Sequence, residues 1–421
     1  MWDKKQHPTF FSEQFDRLVP TNDKFRIIKE TIDFTFINEM ARPFYGDVGP
    51  LGYVPDKLFR MLVVMYLENI PSERKLEERL KRDIVYRFFC DLDIMDDIPD
   101  HATFSVFRSR LGDELFREIF EKLLDMIFAL GFARPKHISI DSTSVIADCA
   151  PPRKTKKQEN RDDDDNESSS LEKQPSDSDA RWGVKGGKST HFGYKLHVIV
   201  GSEKGLILGV KTTAANVADV EAAKALLPLT LETHDLNPSH LAADKAYNGN
   251  DISKELEARE IKAVIPTKGG GPKMREGFSK DDFSFDGATL ICPAGEAMKR
   301  YDLKNGAVLF TGVDCANCRQ RSLCTKADVR RVQLDPGWQR RIRAAQWQKT
   351  AEFKELYNQR SSVERVNSEA KRQHGLSRAR YRGLEKVAIQ GFLTGIVINL
   401  KRAAVFIASK APPKATTALS G

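Results

Sequence analysis

Cysteine is scarce in this chain: six residues among 421 are too few for the disulfide framework that holds small exported domains together. Cys90 and Cys149 stand alone and read as isolated thiols. A secretory h-region is missing from MWDKKQHPTFFSEQF. The longest apolar run, Val387 to Leu400, is short and is interrupted by Gln390, Thr394 and Asn399, so no bilayer span is expected. These absences predict a cytoplasmic protein. What is present is ordinary for a globular chain, with 40% hydrophobic and 30% charged residues, enough for two or three domains and a sizeable core.

The formal net charge is +8, and its placement says more than its size. Between Trp338 and Arg382 stand twelve Lys or Arg against four Glu, a surplus equal to that of the whole chain. A concentration of this kind points to a polyanion, nucleic acid first. A solvated basic helix is the plainer account of any such run.

From Val54 to Gly131 the apolar spacing is helical. Pro55-Asp56, Pro71-Ser72, Asp100-His101 and Asp113 each precede a periodic run, which predicts about four helices. Lys81, Arg82, Arg108 and Arg110 suit a helix-turn-helix DNA contact, and a packing module fits the same pattern. At Lys136 the period changes to two. His137 to Asp141 reads as a strand with Asp141 at its C-terminal end. Pro151 to Arg181, with its DDDDNESSS run, is too polar to bury and is expected to be a disordered acidic insertion. Strands follow at Tyr194–Val200 and in GLILGVKTTAAN, then a helix over Val220 to Leu227 capped by Asp219, a strand His240–Asp244, a helix Asp251–Arg259 and a strand Lys262–Pro266. The predicted order is β-β-β-α-β-α-β, with acids ending the first and fourth strands.

From Gly269 to about Arg343 the pattern breaks and four cysteines appear: Cys292, Cys315, Cys318 and Cys324. Cys315-x-x-Cys318 is a metal-type pair, and the other two complete a tetrahedral set; structural zinc and reduced thiols both satisfy the spacing. The stretch YNQRSSVERVNSEAK then places Tyr357, Arg360, Glu364, Asn367 and Lys371 within about 80° on one helix face. Leu356, Val363, Val366 and Ala370 form the apolar stripe beside it.

Asp141, Asp244 and Glu364 converging in one pocket suit divalent-metal phosphoryl transfer, since hard oxygen ligands select Mg²⁺ or Mn²⁺. Metal charge makes such a cluster tolerable. Arg360 and Lys371 grip flanking phosphates, and Tyr357 bonds a phosphate or stacks on a base. Asn367, Arg365 and Arg372 join them as DNA-binding candidates. Taken singly, Asp141 or Asp244 reads more simply as a turn residue or helix cap.

The spacing Tyr357-x2-Arg360-x3-Glu364-x6-Lys371 resembles the signature around the catalytic Glu of DDE transposases from bacterial insertion sequences, in the IS-four and IS-five-like group. Ile140-Asp141-Ser142-Thr143 and Ala243-Asp244-Lys245-Ala246-Tyr247 are similar to that family's two Asp motifs, and HFGYKLH and GFLTGIVINLKRAA are similar as well. The resemblance implies an α/β fold with a ribonuclease-H-like mixed-sheet core, preceded by an all-α N-terminal domain. The expected boundaries are a helical domain over 1–131 with DNA-end binding, a first core part over 132–268, an insertion domain over 269–343, a last core part over 344–410 and a tail over 411–421. It implies a Mg²⁺-dependent (or Mn²⁺-dependent) bacterial enzyme at the nucleoid. Such an enzyme cuts terminal inverted repeats and joins 3′-hydroxyl ends to target DNA, as a homodimer or higher assembly. Some relatives hold a flipped base with an insertion-domain Trp; Trp338 and Trp347 are the counterparts available. The other readings are a non-catalytic DNA-binding derivative and a Mg²⁺-dependent nuclease without strand transfer.

Overall fold

The computed structural model describes residue 14 and residues 17–46, 52–152, 175–185, 189–267, 277–279, 282–286, 289–304, 306–334 and 338–410. In chain order its helices are α1 (Lys24–Thr31), α2 (Phe36–Ala41), α3 (Pro55–Leu67), α4 (Glu73–Arg82), α5 (Ile84–Phe89), α6 (His101–Ala129), α7 (Asp219–Thr233), α8 (Asn250–Ala258), α9 (Arg321–Cys324), α10 (Trp338–Trp347), α11 (Ala351–Asn358), α12 (Ser361–Gln373) and α13 (Leu384–Lys410). The strands are β1 (His137–Ile146), β2 (Arg181–Lys185), β3 (Ser189–Gly201), β4 (Ile207–Ala214), β5 (His240–Ala242), β6 (Lys262–Val264), β7 (Ser284–Phe285), β8 (Leu290–Ile291), β9 (Lys299–Asp302), β10 (Val308–Thr311) and β11 (Arg331–Leu334). The chain forms two compact units. One comprises Met1–Pro135, Ile140–Leu236 and Ser362–Gly421; the other comprises Lys136–Ser139 and Asn237–Ser361.

In the first unit the helix starts are set by side-chain caps. Asp23, Ser72, Asp83 and Asp100 each accept a backbone N–H that the helix itself leaves unpaired. Gly112, at φ 68° and ψ 170°, breaks α6 at the position expected from the Gly-Asp pair. These helices, expected as a domain over 1–131, belong to the same compact unit as α13. They share a core with α13, which packs against α1, α3, α6 and β4. α13 is long and apolar enough to cross a membrane, but two thirds of its apolar window is buried inside the protein. The polar residues that interrupt it are anchors. Gln390 bonds the backbone of Arg378 and Arg380, Thr394 donates to the Gln390 carbonyl, and the Asn399 amide bridges the Ile207 N–H (2.8 Å) and C=O (2.7 Å).

Strand β3 pairs antiparallel with β2 through Ser189–Gly193 and with β4 through Tyr194–Val200, and it also borders β1. Gly193 is the point of closest approach, where a Cβ would stand 2.2 Å from the Val145 carbonyl oxygen. The expected acidic insertion over 151–181 lies outside the described residues from 153 to 174. Its last part is packed, contrary to expectation. Asp177 is buried and accepts from the Tyr194 hydroxyl at 2.6 Å and the Gly383 N–H, while Asp179 accepts from Leu384 N–H at the start of α13. Those carboxylates satisfy a helix N-terminus, so their polarity does not signal disorder. Burial first, and then Asp177, push the Tyr194 phenol well up. Asp219 opens α7 without capping it; its carboxylate pairs with Lys195 at 2.9 Å, and the helix continues past Leu227.

In the second unit the first residues of β1 pair in parallel with β5, from His137↔His240 to Ser139↔Ala242, and β5 pairs in parallel with β6. Parallel pairing here and antiparallel pairing in the first unit make the fold mixed α/β. α11 covers β5 and β6 by packing Phe353 on Ala242 and Val264, with Trp347, Leu356 and Tyr357 alongside. The segment expected as an insertion domain lies within this unit; its residues 269–276 are outside the described residues, as is the 411–421 tail. It contains the small sheets β7–β8 and β9–β10–β11.

Candidate active site

Asp141 stands mid-strand in β1, not at its end, because β1 runs on to Ile146 beside β3 after its pairing with β5 stops at Ser139. α12 is held to that strand. Val363, Val366 and Ala370 form its buried stripe, the Asn367 amide donates to Asp141 Oδ2 at 3.3 Å, and the Lys371 ammonium donates to Ser144 Oγ at 3.2 Å. Glu364, one turn before Asn367, is exposed. The first unit therefore brings together Asp141 and the helix that carries Glu364.

Asp244 belongs to the second unit. It caps the 3-10 turn Lys245–Tyr247 through an Oδ1 bond to the Ala246 N–H at 2.7 Å. Its Oδ2 makes no hydrogen bond among the described residues. The capping role foreseen for a lone Asp is thus real and occupies one oxygen.

The single helix expected from Tyr357 to Lys371 does not form. α11 ends at Asn358 and α12 starts at Ser361, with the Gln359 and Arg360 N–H groups closing back on Leu356 and Tyr357. Asn, Ser and Ser at this point are weak helix formers that compete for backbone bonds. Tyr357 and Arg360 consequently lie in the second unit, the guanidinium 5.5 Å from the ring centroid and the ring stacked on Phe353. Asn367, expected at the DNA, is 8% exposed and has its amide on Asp141. Arg365 and Arg372 are exposed. Of the basic residues proposed for a helical DNA contact, Arg108 is buried, paired with Glu73 at 2.6 Å and stacked over Tyr381, which removes it from the surface.

Residues 132–400 match the family described as Transposase DDE domain, and residues 13–110 match the family described as Transposase domain (DUF772). The chain belongs to the DDE transposases. Its function is DNA transposition, as an enzyme of an insertion sequence. Among solved structures the transposase is similar to the piggyBac transposase in a cryo-EM synaptic complex with hairpin DNA. That match has 11% identity, covers 93% of this chain and 82% of that one, and has a TM-score of 0.33, too distant to bear on the fold.

Carboxylates are suitable donors for a hard divalent ion, and the first unit offers those of Asp141 and Glu364 while the second offers that of Asp244. The transposase has a second acidic group, Glu77 with Asp100 and His101, whose ligand atoms lie within 4.8 Å of one another. Asp100 there caps α6 and His101 pairs with both acids, which accounts for the cluster as a helix start. The four cysteines of the second unit are unbridged and half-buried, and they line one cavity. Sequence reasoning missed Ser144, Asp177 and Asp179. Only Ser144 had a signal, lying three residues after Asp141 in the STS run.

Proposed function

We propose that Asp141, Asp244 and Glu364 are the catalytic carboxylates of this transposase and hold Mg²⁺ or Mn²⁺ within a ribonuclease-H-like core. The observation that carries the reading is the Asn367–Asp141 bond, which sets the Glu364 helix on the Asp141 strand inside the family-matched region. Bound metal supplies an activated oxygen nucleophile and charge to stabilise the leaving oxygen. The protein's own groups do the rest. Asn367 orients the Asp141 carboxylate, the capped turn fixes Asp244, and Arg365 and Arg372 attract phosphate from the exposed side of α12. In the first step a water oxygen bonds to phosphorus at the element's end and the 3′ oxygen leaves as a hydroxyl. In the second, the oxygen of that hydroxyl bonds to a target phosphorus and loses its proton, while the target strand's own 3′ oxygen leaves phosphorus and is protonated to a hydroxyl. We further propose a dimer or higher assembly acting on paired ends.

The test is incubation of the purified protein with Mg²⁺ and DNA carrying the element's terminal repeats. Cleavage followed by joining to a target plasmid supports the reading. Cleavage without joining makes the protein a nuclease, and binding with neither makes it a non-catalytic derivative.

A further inference from the structure

We infer that Cys292, Cys315, Cys318 and Cys324 form a structural zinc site that orders the small sheets β7–β11, independently of the catalytic reading. All four thiols line the same cavity of the second unit, although they come from three separate turns. The first turn closes through Gly295 N–H to the Cys292 carbonyl (2.8 Å) and Cys292 N–H to Glu296 (2.9 Å). The second is the Cys315–Cys318 turn, with Cys318 N–H on the Cys315 carbonyl and Arg321 N–H on the Cys318 carbonyl. The third is α9, which ends at Cys324.

Two features are aimed at sulfur. The Arg330 N–H donates to Cys315 Sγ at 3.4 Å. A Cβ at Gly312 would stand 2.3 Å from the same sulfur, so the loop backbone is shaped around it.

The segment also needs a staple. Its core is a cluster of seven buried side chains, Phe283, Leu290, Met298, Val308, Phe310, Val332 and Leu334, against which Cys292 and Cys324 pack. A core of this size supplies little stability by itself, and a metal commonly makes up the deficit. With Zn–S bonds of about 2.3 Å, the sulfurs of a tetrahedral site stand roughly 3.8 Å apart. Among the described residues no three of the thiols lie mutually within 4.8 Å, so the proposed site requires the three turns to draw together around the ion.

The experiment uses the full chain, purified without chelator, with zinc measured by elemental analysis and each thiol footprinted by alkylation. The expected result is one zinc per chain and slow alkylation of the four cysteines that becomes fast after chelation. Cys315→Ser and Cys318→Ser should each lose the metal, and Cys149→Ser should keep it. Should the serine variants fail to fold, Co²⁺ reconstitution of the wild-type chain decides: the intense visible bands of tetrahedral thiolate cobalt support the site. Less than stoichiometric zinc after reconstitution, alkylation rates unchanged by zinc, or a weak octahedral cobalt spectrum would each overturn it.

Discussion

Replacing Asn367 separates a positioning role from a DNA contact. Its amide lies 3.3 Å from Asp141 Oδ2, a long bond, and Asp141 is half-buried, so water partly replaces the donor when it is removed. Asn367→Ala should therefore cost only about 1.5 kcal/mol of stability, at the low end for a bond to a charged group. The larger effect falls on the carboxylate it orients. Losing a partner that fixes a metal ligand lowers metal affinity by about 10–100-fold, and the length of this bond places the expectation near tenfold, or ~1.4 kcal/mol. The assay is a Mg²⁺ titration of end cleavage, run beside a DNA-binding isotherm. The half-saturating Mg²⁺ concentration should rise about tenfold, with near-normal cleavage at saturation and unchanged DNA affinity. An unchanged Mg²⁺ dependence would refute the positioning role, and lost DNA affinity would restore Asn367 as a nucleic-acid contact.

Three further outcomes are expected. Asn399→Leu strands the buried N–H and C=O of Ile207 and should destabilise the first unit by about 2–4 kcal/mol, seen in calorimetry as a melting point lower by several degrees; equal or greater stability would show that the amide bridge contributes nothing. Burial, opposed by Asp219, pushes His197 down to about 4. The unfolded chain, with its pKa near 6.5, then takes up the extra proton first, so stability is full above about pH 6.5 and falls by up to about 3 kcal/mol toward pH 4. His197→Gln should flatten that limb of the profile, and an unaltered slope would assign the titration elsewhere. Arg365→Ala with Arg372→Ala should weaken DNA binding and reduce its log–log salt slope by about 2, one counterion per lost phosphate contact; an unchanged slope would place both residues off the DNA.

Much of the local framework of the candidate site was legible in the sequence because its signals are local. The Asp141 and Asp244 motifs, the Glu364–Lys371 spacing, the helix caps and the buried stripe of α12 depend on neighbours a few residues away. What the sequence concealed depends on partners far along the chain. The helix break before Ser361 turns on a modest difference in propensity, decided by which unit each side packs into. Asp177 and Asp179 read as part of a solvating acidic run until Tyr194 and the start of α13 supply donors. Gln390 and Asn399 looked like flaws in an apolar run, yet Gln390 holds the backbone of the loop before α13 and Asn399 satisfies buried backbone of β4. The extension of β1 past Asp141 comes from β3, some fifty residues on.

The most direct measurement is cleavage of end-containing DNA in Mg²⁺ by Asp141→Asn, Asp244→Asn and Glu364→Gln, each compared with wild type in rate and in DNA binding. All three should bind normally and cleave at least about a thousandfold more slowly, the scale of losing several kcal/mol of charge stabilisation at the reacting phosphate. Near-normal cleavage by any one of them would contradict the assignment of that residue and, with it, the three-carboxylate site.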